Sequence, residues 1–169
     1  MWQKLKRILR HRWLDESDSR RAIPQAMVQR LARRVAASEK RHTGEVRICV
    51  EAGLPMSYLW QGARARERAM MMFSKLRVWD TQHNNGVLIY LLLAEHAIEL
   101  VADRGLNQRV SPGEWRAMVQ QLETALREGR YEDGLTQALE EVSAVLVKHF
   151  PLAEGQTKPN ELPDAPALN

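Results

Sequence analysis

Two groups of residues combine the types and spacings that could do chemistry. Asp80, Asn84, Asn85 and Gly86 fall close together, with Asp103 and Gly105 a short way on. Carboxylate and amide oxygens of this kind are donors for a hard cation such as calcium. The Asn84-Asn85-Gly86 run is also a strong turn signal, and Asp103-Arg104-Gly105 can simply end a strand. Both readings stand. The second group is Trp2, Lys4, Lys6, Arg7, Arg10 and Trp13, indoles and cations with no acidic residue before Asp15. That make-up suits an anionic membrane surface or a partner protein, and equally a terminal helix docked on its own domain.

Other chemistry has no carrier in the chain. GxSxG, GxGxxG, GxxxxGKS/T and HExxH are all missing, and with them the nucleophile elbow, the dinucleotide fingerprint, the phosphate loop and the paired-histidine zinc site. The five histidines, at 11, 42, 83, 96 and 149, never take the spacing that puts two on one helix face. A single cysteine, Cys49, can form neither an intramolecular disulfide nor a cysteine-based zinc cluster. Inside a strand it is an inert small hydrophobe. No catalytic residue is assigned, and no metal ligand.

The 169 residues fit one domain with short extensions. Charge is unevenly spread: residues 1–41 hold 12 Lys and Arg against 4 Asp and Glu, and residues 42–169 hold 13 against 17. The basic character belongs to the first quarter, which points to an anionic partner for that part alone. No run reaches the roughly 18 apolar residues that a membrane-spanning helix needs.

Periodicity supplies the elements that must position these groups. Trp2, Leu5, Ile8, Leu9 and Trp13 give residues 1–14 a helical stripe, and Asp15 to Asp18 read as a cap. A helix runs from Pro24 to about Arg41, and Gly44 stops it. Glu45–Glu51 alternates as a strand, with Cys49 on its second face. Residues 62–79 read as one helix, with Met70 among its buried positions. Val87–Leu93 is a central strand covered on both sides, and Ala97–Ala102 returns beside it. A Ser111/Glu114 capping box opens a further helix, and a last one runs from about Tyr131 and ends before Pro151. Residues 152–169 read as a disordered tail. The strand–helix–strand unit should cross over into a parallel pair and the third strand should add as a hairpin. That is a three-layer α/β sandwich with a small mixed sheet. Because the hairpin reverses direction, Asp103 and Gly105 should return to the edge where Asn84–Gly86 begin. The loop at Glu51–Pro55 lies on the other edge, where α/β sheets favour ligands.

Asn85-Gly86-Val87-Leu88-Ile89, then Ile98-Glu99-Leu100-Val101 and the Gly105-Leu106 step, resemble the core of the TPM domain. Gly129-Arg130-Tyr131-Glu132-Asp133-Gly134-Leu135 is similar to that family's segment before its last helix. The likeness covers roughly residues 25–150, in a short bacterial form of a domain shared with thylakoid-lumen photosystem II repair proteins and a nematode receptor modulator. It implies a compact α/β sandwich, with the weak phosphatase activity and calcium binding of some members. This chain departs where the family's site lies. Asn84 replaces the Asp of Asp-Asn-Gly, and Asp103-Arg104-Gly105-Leu106-Asn107 replaces Gly-x-Gly-Leu-Glu. Members usually carry an export signal and a membrane segment, and neither is expected here.

The resulting expectation is a non-catalytic interaction module, with residues 1–22 as basic helix and linker, 23–151 as the TPM-like domain and 152–169 as the tail. A protein partner is expected, and residues 1–14 allow an anionic membrane surface; nucleic acid is not expected. The location that follows is the cytoplasm, peripheral to the inner membrane if residues 1–14 meet lipid. No cofactor is expected unless calcium occupies the rim, and a calcium-dependent phosphatase is the alternative.

Overall fold

A computed structural model describes residues 2–169. Helices α1 (Trp2–Arg12), α2 (Glu16–Ala22) and α3 (Gln25–Glu39) precede strand β1 (Glu45–Glu51). Helices α4 (Met56–Gln61) and α5 (Ala65–Lys75) lead to β2 (Gly86–Leu92), and a 3-10 turn joins it to β3 (Ala97–Ala102). Then come α6 (Arg104–Asn107), α7 (Pro112–Arg127), α8 (Tyr131–His149) and β4 (Ala167–Leu168). The sheet order is β3-β2-β1-β4, with β1 parallel to β2 and β3 antiparallel to β2.

The three-layer sandwich follows from the two faces of the central strands. Val46, Ile48 and Val50 pack with Val87, Ile89 and Leu91 under α3, α7 and α8, where Leu31, Val35, Leu122, Leu139 and Val142 complete one core. Cys49, Leu88, Tyr90 and Leu92 face the other side and meet Leu59, Ala69 and Met72 of α4 and α5. Every residue of β2 is buried, which is why its sequence is continuously apolar instead of alternating. The Ser111/Glu114 capping box opens α7 as the sequence predicts.

Two expectations are corrected. Residues 62–79 are not one helix: Gly62 closes α4 in the left-handed region at φ 72°, α5 stops at Lys75, and Arg77 takes φ 56°. That break rotates the buried stripe, so Met72 is in the core and Met70 is exposed. Residues 152–169 are not a free tail. They run along the β1 edge and end as β4, paired with Cys49 and Val50, while Leu162 is buried in the second core. Their prolines and asparagines break regular structure without preventing attachment. The two sheet edges therefore differ. On the β3 side, Arg66 Nη1 donates to Leu100 O (2.5 Å) and Asn107 Nδ2 to Ala102 O (2.7 Å). On the β1 side, the chain's own end provides the cover.

Candidate functional site

The rim at the start of β2 assembles from backbone contacts first. Asp103 N donates to Gly86 O and Gly105 N to Asn84 O, each at 2.9 Å. A Cβ on Gly86 would lie 2.0 Å from Val78 O, and one on Gly105 would lie 2.5 Å from Asn84 O. Only glycine lets these backbones approach so closely. The structure thus brings Asn84, Asn85, Gly86, Asp103 and Gly105 together. Asp80 is the exception, since its carboxylate takes Arg77 Nη2 at 2.6 Å instead of a rim residue.

Three side chains present oxygens on this rim. Asn84 Oδ1 accepts from Arg104 Nη2 at 2.9 Å. Asp103 Oδ1 caps α6 by accepting from Arg104 N at 2.7 Å, leaving Oδ2 buried without a donor. Asn85 Nδ2 donates to Thr43 Oγ1 at 3.1 Å, and its Oδ1 is likewise buried and unpartnered. Buried acceptors without a donor cost free energy. Among the described residues, no set of three or more His, Cys, Asp or Glu side chains is arranged for a metal ion.

At the opposite end of the strands, α1 docks with its polar face inward. Arg7 reaches Glu95 (2.7 Å) and Ala63 O (2.6 Å), and Lys4 Nζ reaches Trp60 O (3.0 Å). His11 is buried; its Nδ1 accepts from Leu54 N at 2.9 Å, so Nε2 carries the proton that faces Glu95 at 3.0 Å. These donors hold the Glu95 carboxyl below its ordinary range, the His11 contact contributing most. Lys4 and Arg7, expected on the outer contact face, are therefore used to hold the helix to the body. Most of the apolar stripe faces away, while Ile8 packs on the second core. Trp2 (70% exposed), Leu5 (49%), Leu9 (47%) and Trp13 (83%) are open, as are Met56 and Trp60 on the neighbouring α4. Lys6, Arg10 and Arg12 are exposed beside that stripe.

Sequence reasoning missed two buried polar clusters. In one, Arg68 pairs with Glu51 while Tyr90 Oη donates to Glu51 Oε2 at 2.7 Å. In the other, Glu39, His42 and Glu45 gather around Lys158 below the end of α3. Burial raises the Glu39 carboxyl to about 7, with Glu45 adding to the effect. Burial, reinforced by Lys158, lowers His42 to about 4. His42 Nδ1 faces only the Gly44 carbonyl (3.2 Å), so it must donate there and leave Nε2 to accept from Ser38 Oγ at 2.9 Å. One signal was visible, because Glu39 is the sole acid between Ser19 and Arg41. Lys158 lies over a hundred residues further on and gave none.

The family model described as TPM domain matches residues 17–145. The BA42 protein of the psychrophilic bacterium Bizionia argentinensis, solved by NMR, is 25% identical and superposes with a TM-score of 0.70. That likeness covers 82% of this chain and 90% of that one. The N-terminal domain of a P. gingivalis protein shares the fold at 18% identity and a TM-score of 0.55, over 72% and 76% of the two chains. No curated protein matches.

Proposed function

The chain belongs to the TPM domain family, and on that premise we propose that it is an interaction module that docks peripherally on an anionic lipid surface through α1. The outward stripe of α1 is the observation that carries this reading. Among the described residues, six of the eight exposed large apolar side chains lie on α1, just after it, or on the adjoining α4. An isolated exposed leucine needs no explanation, whereas a clustered patch of indoles and leucines does. Indoles seat at the boundary between headgroup and acyl chain, and Lys6, Arg10 and Arg12 add attraction to anionic headgroups. No helix among the described residues is long and apolar enough to cross a membrane, so the contact would be in plane. Flotation with vesicles containing phosphatidylglycerol, against neutral phosphatidylcholine vesicles, tests it. Retention on the anionic vesicles that falls with added salt is expected. Equal failure on both, with a protein captured through the same face, would replace lipid by a protein partner.

A second reading rests on the two unpartnered oxygens. Asn85 Oδ1 and Asp103 Oδ2 would contribute to holding a hard cation such as calcium, while Arg104 keeps Asn84 occupied. A cation bound there would polarise a phosphoryl oxygen. With one carboxylate and one amide the site would be weak, as calcium takes six to eight oxygens. Calcium titration followed by melting temperature, repeated on Asp103→Asn, decides it. A stabilisation seen in the parent and lost in the variant supports the site, and none in either removes it.

A further inference from the structure

We infer that residues 156–161 form a strap across one acidic cleft beside the amino ends of β1 and β2, and that Lys158 stands in it for a ligand bearing a primary ammonium group. The socket is built from buried oxygen acceptors. Glu39 is 7% exposed and Glu45 is fully buried. Lys158 Nζ lies 3.3 Å from Glu39 Oε2 and 3.0 Å from Gly44 O, and it also donates to Glu45 Oε1. The remaining carboxylate oxygens are taken by backbone: Val46 N donates to Glu39 Oε1 at 2.8 Å and Leu162 N to Glu45 Oε2 at 3.2 Å. Three acceptors are left, the number an ammonium group can satisfy with its three N–H bonds. A divalent cation would want at least six.

Two further features point to a ligand space instead of a static ion pair. Hollows of about 320 and 310 Å³ lie on the two sides of the strap, and both are lined by Gln156 to Pro159. Glu39 borders the first; Thr43 and Glu45 border the second. Removing the strap would join them into one cleft with a carboxylate floor. Next to it, Asn85 is 1% exposed, bonds Thr43 through Nδ2 and leaves Oδ1 without a donor. The strap itself is held mainly by polar contacts. Arg47 Nη1 donates to Pro163 O (2.6 Å), Gln82 N to Glu161 (3.2 Å), and Leu162 is its buried apolar anchor. These outer contacts exchange with water at little net cost, whereas Lys158 covers two buried carboxylates, so the strap lifts only as another cation takes the place of Lys158.

The full-length Lys158→Ala protein tests the assignment, with ethylammonium as probe and tetramethylammonium and sodium as controls at equal ionic strength. Saturable stabilisation of the variant by ethylammonium alone is expected, with a melting-temperature rise of roughly 2–4 °C and no matching rise in the parent, whose socket is filled. If the variant does not fold unaided, its refolding yield with each cation becomes the readout and the same order is expected. Equal response to all three cations would overturn the proposal. Rescue by calcium or magnesium but not by ethylammonium would overturn the ligand class. Membrane docking through α1 is untouched by any of these outcomes.

Discussion

Arg68 and Glu51 meet in a two-pronged ion pair inside the second core, with Nε to Oε2 at 2.7 Å and Nη2 to Oε1 at 2.5 Å. The pair closes the carboxyl end of β1, with the Tyr58 ring 5.2 Å from the guanidinium. Tyr90 adds its hydroxyl to the same carboxylate, and burial beside that charge pushes its ionisation well above the ordinary range. A buried carboxylate stripped of its cation is costly. Arg68→Met should therefore lose about 3–5 kcal/mol in urea unfolding, and Arg68→Met with Glu51→Leu should recover a large part of it. If the double variant is no better than the single, the pair is not the source of the loss.

Glu39 and His42 give opposite pH dependences. The Glu39 carboxyl rises from 4.5 to about 7 in the folded chain, where Glu45, Lys158 and the Val46 amide face it. Folded protein then holds the extra proton between those values, so this group's contribution to stability falls as pH rises through that window. His42 drops from 6.5 to about 4, facing Lys158, Arg41 and the Gly44 carbonyl. The unfolded chain holds that proton, so stability is lost as pH falls from 6.5 toward 4. The two slopes offset one another over most of the interval. Glu39→Gln should unmask loss on acidification, and His42→Gln loss on alkalinisation, each at up to about 1.4 kcal/mol per pH unit. Denaturant midpoints between pH 4 and 8 measure both, and a parallel response of the two variants would refute the assignment.

Lipid docking should separate from folding. Leu5→Ser with Trp13→Ser alters outward side chains only, so vesicle retention should fall by roughly tenfold or more with the melting temperature unchanged. Arg7→Ala should instead loosen α1 from Glu95 and Ala63 O, which protease cleavage near residue 14 would report. Loss of retention together with a fall in melting temperature would make the stripe structural.

Glycine substitutions should discriminate a crowded rim from open helix. Gly86→Ala drives a methyl against the Val78 carbonyl, a backbone atom that cannot swing aside. A loss of several kcal/mol, on the order of 3, is expected, read as a lowered melting temperature or insoluble protein. Gly113→Ala meets nothing closer than 3.7 Å and should be neutral or mildly stabilising.

Cys49 offers a native reporter for the chain's end. Its thiol is fully buried, is pushed up to about 12 by burial and Glu51, and lies 3.7 Å from Asn169 Nδ2. Maleimide should label it slowly in the parent. Ala167→Pro removes an N–H from a two-residue strand and should raise that rate by roughly tenfold or more. An unchanged rate would mean that β4 does not guard the thiol.

The layers were legible because their cause is local. Val87–Leu93 is apolar throughout since both faces of β2 are covered, and Ser111 and Glu114 announce a helix start within four residues. Half of the rim was legible for the same reason, as Asn84–Gly86 and Asp103–Gly105 must meet once β2 and β3 form a hairpin. What stayed hidden depends on partners far away in the chain. Glu45 and Glu51 looked like the polar ends of an amphipathic strand, and only Lys158 and Arg68 reveal why each is buried. The orientation of α1 was equally invisible: its stripe specifies an amphipathic helix, but the acceptors that turn it over are Glu95 and the carbonyls of Trp60 and Ala63.

The unequal protection of the two sheet borders limits how copies of this molecule could associate. Arg66 and Asn107 occupy outward carbonyls of β3 with side chains anchored in the fold, while Ala167 and Leu168 shield β1 with a segment that can be exchanged. Exchange of that segment would give each copy one donor strand and one open border, so association through it is head to tail: a reciprocal exchange closes it at a pair, and a serial one leaves it open.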